Sequence, residues 1–590
     1  MTYPILQGAA NRWKYKFVEN LLGGINTAKA NANLEDNQCI KLNNVLLRAG
    51  QVLSDNGYKT FGQVVVGRPQ VPYQFKRRDL TTDLILITTS TVYKYSSALL
   101  RWILVKGTAS TTSTLAYPAG TTVIVVASGV GFATGNLIGI TLDNGDQLQT
   151  TVTVAGATFT LANAVPVGRS ILINAVVLKS VALAGTLDYQ VSIDTIAGSD
   201  WMVFTNGIDI VKRYDGADCI NVPGLPSGGN VVCRSLLLYN TALFLFNTVE
   251  GGTAYPQRAR RSDQTDPTNW TTGTAGTDNL LDSSDSIVTA AVLGPYMIVY
   301  RDKSIVRGSF IGNSGVNYYF ETMINTDGAV STKSVVSVDD YHIFIGQKNI
   351  YEYRGDYIIS PIGDNIYYHL YGISGELNPA YKNRNFALYS KDLNELWIAS
   401  VTSTSLDNTC NEVLRYIVSN KAWYHREFKD NLIGSGQYTK QQSLTWDTLV
   451  GSWDALTWTW NSQQILGNAA VILLCSAVTN QVYEYDYVST LDNATAIAYT
   501  VETKDFAINT SNFRFDKIEM FIQGMGILLE YSTNQGVSWN TMATINQNVL
   551  GRVQVYGQFI SDRVRFRWSG TGQNFALQWF GFSYKIENLY

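Results

Sequence analysis

One hairpin is written into this chain repeatedly. Leu84-Ile85-Leu86-Ile87 is followed by Thr91-Val92-Tyr93-Lys94-Tyr95, and Met202-Val203-Phe204 by Ile208-Asp209-Ile210-Val211. The same unit returns at Leu236-Leu237-Leu238, at Tyr296-Met297-Ile298-Val299-Tyr300, at Tyr341-His342-Ile343-Phe344-Ile345 and at Val471-Ile472-Leu473-Leu474. Each reads as a strand, a polar turn and a second strand, since Val, Ile, Thr and aromatics suit a pleated, half-buried surface and Gly, Asn and Asp interrupt it. Module starts at Leu236, Ile287, Val335 and Phe386 lie about 50 residues apart, the length of one four-stranded propeller blade. A tandem of unrelated β-sandwiches would not favour a common period. Radial repetition also hides sheet edges, so many short hairpins can share one closed body.

Two steps are too long, and each has its own excess. Residues 107–178 are rich in Thr, Val, Ala and Gly and carry only Asp143, Asp146 and Arg169 as charges; removing them restores the common step. They read as an inserted small β-barrel or sandwich, with Asn144-Gly145 forming a type I′ hairpin turn and Ala155-Gly156 a second hairpin between 150–154 and 158–161. The other excess is the tryptophan-rich stretch 446–460. From about residue 500, Phe513-Arg514-Phe515 and Arg563-Val564-Arg565-Phe566-Arg567-Trp568 alternate with period two. The expectation is an all-β protein: a β-propeller of six or seven blades over 61–106 and 179–499, the insert at 107–178, a C-terminal β-sandwich over 500–590, and an N-terminal arm and first strands in 1–60. Helix is limited to a turn or two over 11–22.

Composition narrows the function. Charged residues make up only 15%, below the roughly 25% usual for soluble domains, and the net charge is −3. That argues against a dedicated nucleic-acid binder, which needs a basic excess. No run of eighteen apolar residues is present to span a bilayer, and Met1-Thr2-Tyr3-Pro4 lacks the layout of a signal peptide. Cys39, Cys219, Cys233, Cys410 and Cys475 are odd in number and scattered, as reduced thiols of a cytosolically made protein would be. Low charge with 35 Tyr and 13 Trp suggests a protein that lives within an assembly.

Chemistry-bearing constellations are few. Ser532-Thr533-Asn534-Gln535-Gly536-Val537-Ser538-Trp539 looks like an Asp-box hairpin with Asn534 in place of Asp, a structural turn. Trp446, Trp453, Trp458 and Trp460 lie in a W-D-x-L duplication, suited to subunit contact, self-packing or glycan stacking. Arg258, Arg260 and Arg261 form the densest basic cluster, either facing a DNA channel or pairing with blade-edge carboxylates, with Trp270 closing the blade. His342, His369 and His425 stand far apart, and no Cys or His pair has ligand spacing, so neither metal nor cofactor is expected; His342 reads as a hydrogen-bonded strand residue. The 143–146 and 282–285 acidic pairs read as turns rather than calcium loops. No phosphate loop or nucleophile elbow is present, so no catalytic residue is named.

Several segments together carry a resemblance. Leu22-Gly23-Gly24-Ile25-Asn26-Thr27, then Leu34-Glu35-Asp36-Asn37-Gln38 and Asn43-Asn44-Val45, resemble the opening of bacteriophage tail proteins. Residues 256–270 are similar to a second tail motif, with Ala259 where Val is usual, and 296–305 to a third. The family is the tail nozzle of short-tailed phages, also called tail tubular protein B or stabilisation protein. The resemblance implies a non-enzymatic virion protein, assembled in the bacterial cytoplasm as a homo-oligomer, a hexamer, below the adaptor or head-to-tail connector ring. It would continue the DNA ejection channel, retain the genome, pass DNA without reading its sequence, and dock tail fibres or a needle. Gly23, Gly24, Ile25 and Asn26 would then be an arm toward a neighbouring subunit or the adaptor, or a plain closing strand. The alternative is a receptor-binding or glycan-cleaving, sialidase-like tail propeller.

Overall fold

The computed structural model describes residues 13–313, 316–372, 375–439, 470–507, 511–572 and 574–587. Among them the chain is almost entirely β, with one four-residue α-helix, Tyr367–Leu370. Five antiparallel sheets have four strands each. The first holds Pro69–Lys76, Thr82–Thr88, Val92–Ser96 and Arg101–Leu104. The second, third, fourth and fifth begin at Ser192–Ile196, Val231–Tyr239, Ile287–Leu293 and Val335–Val338. A sixth four-strand unit, Phe386–Ser390, Glu395–Ser400, Glu412–Ile417 and Ala422–Arg426, is joined at its edge to the C-terminal sheet by one bridge between His425 and Asn43. The seventh comprises Leu432–Thr439, Ala470–Ser476 and Val482–Tyr485, its fourth strand is Tyr58–Thr60 from the other end of the chain, and the short strands Leu491–Asp492 and Thr495–Ala496 extend it to six.

Neighbouring sheets are glued face to face. Because side chains alternate across a strand, a continuous apolar run signals a sheet covered on both faces. In Ala242–Glu250, Leu243 and Leu245 pack with Val203 and Val231, whereas Phe244 and Phe246 pack with Ile287 and Met297. In Thr82–Thr88, Ile85 and Ile87 meet Met202 and Phe204 of the second sheet, and Leu84 and Leu86 meet Leu473 and Val482 of the seventh. The fourth and fifth sheets share Ile298, Tyr300 and Phe344; the fifth and sixth share Ile343, Ile398 and Leu414; the sixth and seventh share Trp397, Ile472 and Tyr485. The succession of apolar clusters thus returns to its starting sheet. There the backbones approach closely: a Cβ on Gly434 would lie 1.8 Å from the Gln70 carbonyl oxygen, and one on Gly436 2.0 Å from that of Pro72.

Residues 107–178 contribute to a separate six-stranded sheet, Lys106–Thr112, Val176–Ser180, Leu137–Thr141, Gln147–Ala155, Thr158–Leu161 and Val123–Val125. Its core of Ile124, Ile138, Ile140, Val152, Phe159, Ile171 and Val177 draws on that segment alone. The Asn144-Gly145 turn is not type I′: only Gly145 has positive φ, and a longer loop closes through the Leu142 N–H to the Asp146 carbonyl. Asn144 instead uses its side chain to accept from the Asp146 N–H, so the φ > 0 it could supply is not required.

The C-terminal module is completed by the beginning of the chain. Asn512–Ser532 pairs with Asn540–Ser561, Arg563–Thr571 and Ala576–Glu587, and Lys14–Val18, Cys39–Asn43, Val45–Arg48 and Gln51–Ser54 belong to the same sheet system. Where a helical turn is expected near residues 11–22, the described part is the strand Lys14–Val18 against Ala576–Glu587. The reason is visible in Lys14-Tyr15-Lys16-Phe17-Val18, which alternates with period two and ends on a buried Val18. At the tip of the long hairpin the Asp-box-like turn is formed as its residue types require. Asn534 accepts from the Ser538 N–H at 2.9 Å, Ser532 accepts from the Gly536 N–H at 2.9 Å, Gly536 takes φ +86°, and Trp539 is covered by the Arg567 guanidinium.

Candidate functional site

A cavity of about 340 Å³ lies where the leading strands of several sheets converge. Its wall includes Gln70 and Tyr73 of the first sheet, Gln190 beside the second, Lys333 and Val335 at the fifth, Arg384 and Phe386 at the sixth, and Gly434 to Gln437 of the seventh. Side chains stitch these strands together at this point. Gln190 donates to the Asn385 carbonyl at 2.8 Å and accepts from the Lys333 N–H at 2.7 Å, and Ser331 donates to the Asn385 carbonyl at 2.6 Å. Arg384 donates through Nε and Nη2 to Asp188 Oδ1 and through Nη1 to the Asn408 carbonyl. Desolvation pushes the Lys333 amine down to about 8, against the opposing pull of Asp194. None of the wall residues is Asp or Glu. Among the described residues the cavity wall thus offers an amine, a guanidinium and amides.

Gly23, Gly24, Ile25 and Asn26 are folded against their own chain. Gly24 has φ +74°, and a Cβ there would lie 2.6 Å from the Trp423 carbonyl oxygen. The Ile25 N–H donates to that same carbonyl at 2.7 Å, Asn26 Nδ2 donates to Gln38 Oε1 at 3.1 Å, and both Ile25 and Asn26 are buried. The segment is a strap over the sixth sheet, and neither the arm nor the closing strand that the sequence offers names Trp423 as its partner.

The basic cluster is neutralised within its own sheet. Arg258 and Arg260 both donate to Glu250, and Arg261 pairs with Asp278. Burial would raise the Glu250 carboxyl, but its bonds from Arg260 and Thr248 outweigh that and hold it below its ordinary value. Trp270 is buried beneath, in the cluster shared with the second sheet. The acidic pairs are used likewise: Asp282 and Asp285 face the fully buried Arg301, and Asp146 pairs with Arg101. Trp446, Trp453, Trp458 and Trp460 lie outside the described residues.

Two sites were invisible in the sequence. In the first, Arg415 Nη1 donates to Asp55 Oδ1 at 3.0 Å, Arg426 Nε lies 3.1 Å from Asp55 Oδ2, and Arg426 Nη2 donates to Asp492 at 2.5 Å, with both arginines and Asp55 essentially inaccessible. Burial pushes the Asp492 carboxyl up to about 6 despite Arg426. In the second, two of the three histidines meet one carboxylate. His369 on the short helix brings Nε2 to 2.5 Å from Glu412 Oε1, and His425 on the edge strand of the sixth sheet brings Nε2 to 3.0 Å from the same oxygen. Glu376 lies 3.9 Å from His369 Nδ1. His342 stays apart, bonded to the Tyr300 hydroxyl and the Val292 carbonyl. A sequence without ligand spacing gives no signal for a set assembled from residues 369, 376, 412 and 425.

No family model matches this sequence, and no curated protein matches it. Among solved structures it is similar to an exo-beta-1,3-galactanase from Phanerochaete chrysosporium, at 9% identity and a TM-score of 0.21 over 83% of this chain and 98% of that one. It is also similar to Kluyveromyces lactis Hsv2, at 10% identity and a TM-score of 0.23 over 61% of this chain and 98% of that one. A third is PorZ of Porphyromonas gingivalis, a surface component of the type-IX secretion system, at 8% identity and a TM-score of 0.26 over 90% and 86%. Likeness at this level assigns no activity.

Proposed function

We propose that this chain is a structural subunit of the tail nozzle of a short-tailed bacteriophage, working by assembly rather than catalysis. In this reading the seven four-strand units are the blades of a β-propeller, closed by Tyr58–Thr60 adding to the last blade. The support is the circuit of apolar clusters that returns to its first sheet. The insert and the C-terminal module would be the parts that meet neighbouring subunits, the adaptor ring and fibres, around a lumen through which DNA passes.

The observation that carries an assembly role is the strand Asn540–Ser561. It is 22 residues long, and among the described residues it pairs along one edge only, with Asn512–Ser532. Soluble proteins shorten, bend or cover such edges, because unpaired backbone groups recruit another strand. Exposed Tyr556 and Ile560 along it add apolar surface. The alternative, a receptor-binding or glycan-cleaving propeller, shares the fold and is distinguished by chemistry.

Immunogold electron microscopy on purified particles, with antibody to the recombinant chain, tests the proposal. Gold confined to the tail tip below one capsid vertex is the expected result. Gold on peripheral appendages, or turnover of host polysaccharide by the isolated chain, favours the alternative. No labelling of particles overturns both.

A further inference from the structure

We propose that His369, His425, Glu412 and Glu376 form a binding site for a divalent transition-metal ion of the zinc class. The argument begins with hydrogen-bond arithmetic at His425. Its Nδ1 lies 2.8 Å from Asn43 Oδ1, an acceptor, so the ring proton of a neutral imidazole sits on Nδ1. Nε2 then directs a lone pair at Glu412 Oε1, 3.0 Å away, which also has only lone pairs to offer. His369 Nε2 converges on the same oxygen from the other side. A second proton on the ring or a metal ion between these atoms resolves the conflict, and the observations that follow favour the metal ion.

Two further observations point to a ligand. Glu412 is 4% exposed, yet its second oxygen, Oε2, has no hydrogen-bond partner, and neither has His425 Nε2. A buried carboxylate oxygen left without a donor is costly, and native proteins rarely leave one. In addition, one ligand atom each from His369, Glu376 and Glu412 falls within a sphere where all lie within 4.8 Å of one another.

The donor set selects the ion. Two imidazoles and two carboxylates suit zinc and its first-row neighbours, whereas calcium and magnesium prefer oxygen alone. Two neutral imidazoles with two carboxylates carry a charge that a divalent ion cancels. Four protein ligands make a closed, structural site rather than a catalytic one. Zinc bonds of about 2.0–2.1 Å in a tetrahedron separate donor atoms by about 3.3 Å, so the two imidazole nitrogens, 2.5 and 3.0 Å from Glu412 Oε1, open slightly while Glu376 closes in from within 4.8 Å. His369 and Glu376 can supply that movement, since both are partly exposed, and their side gives the ion its way in. Asn43 is the outer partner that fixes the ring of His425. The ion would clasp the helix after the fifth sheet to the edge strand of the sixth, beside the strand Cys39–Asn43 from the N-terminal part of the chain.

The test uses the full chain without an affinity tag, stripped with chelator and titrated with Zn²⁺, with Co²⁺ as a visible-absorbing substitute. One ion per chain, a Co²⁺ spectrum of four-coordinate intensity, and a chelator-sensitive rise in Tm are expected. His369→Ala, on the exposed side and least able to disturb folding, should weaken Zn²⁺ binding at least about 100-fold, as should His425→Ala. Asn43→Ala should weaken it about 10–100-fold. Circular dichroism of the stripped variants establishes that each is folded. The proposal is overturned if the native chain retains no Zn²⁺ at micromolar concentration, or if binding survives His369→Ala and His425→Ala combined.

Discussion

Two groups of arginines differ in what they tell the fold. Arg258, Arg260 and Arg261 stand together in sequence and catch the eye, yet in the structure they are matched locally by Glu250 and Asp278 within their own sheet, with Glu250 and Arg261 buried. Arg415 and Arg426 are unremarked in sequence, and they meet Asp55 and Asp492 across three distant segments in the interior. The first group answers charge with charge between neighbouring strands of one sheet. The second fixes the register of the N-terminal segment on the sixth and seventh units, where no water can stand in for a missing partner. Clustering in sequence thus marks a pairing within one sheet, and dispersion in sequence hides the junction between sheets.

The largest expected effect follows from that contrast. Asp55→Ala leaves two buried guanidinium groups without their shared counter-ion, which costs about 3–5 kcal/mol. A lowered denaturant midpoint followed by tryptophan fluorescence reads it, since Trp397 and Trp423 sit in the adjoining cores. A midpoint unchanged by Asp55→Ala would remove the distinction between the two groups. Gly434→Val should come next. The strand has nowhere to put a Cβ at 1.8 Å from the Gln70 oxygen, so the first and seventh sheets must separate, at about 1–3 kcal/mol. Limited proteolysis should then cut near residues 61–68 sooner than in the native chain; unaltered cleavage would mean that the contact between these sheets is not tight.

The same contrast explains what the sequence could disclose. The hairpins were legible because each is local: Leu243 to Phe246 announce a strand by their continuous apolar run, and Ser532, Asn534 and Gly536 announce their turn by side-chain chemistry. Ile287, Val335 and Phe386, read as module starts, are the first residues of strands. Long-range placement was not legible. Nothing in Lys14-Tyr15-Lys16-Phe17-Val18 names Ala576–Glu587 as its partner, and nothing in Gly24-Ile25 names Trp423. The His369–Glu412–His425 set is half hidden in the same way: Glu412 and His425 sit on one pair of neighbouring strands, whereas nothing in the sequence docks the helix of His369 on them. Local turn chemistry misled once, at Asn144, where a side-chain hydrogen bond replaced the backbone conformation that Asn-Gly favours.

The smallest expected effect sharpens the comparison from the other side. Arg258→Ala and Arg260→Ala should each cost about 1 kcal/mol, because buried Glu250 keeps one guanidinium when it loses the other. The Glu250 carboxyl is held below its ordinary 4.5 in the folded chain, so its contribution is fully present above that pH and is lost as the pH falls below it. The Tm difference between the native chain and Glu250→Gln should therefore be constant near neutrality and close as the medium is acidified. Molar salt should change it little, since a buried pair is screened much less than an exposed one. A difference that grows on acidification would show that Glu250 is the keystone of this sheet, and that the two arginine groups are alike after all.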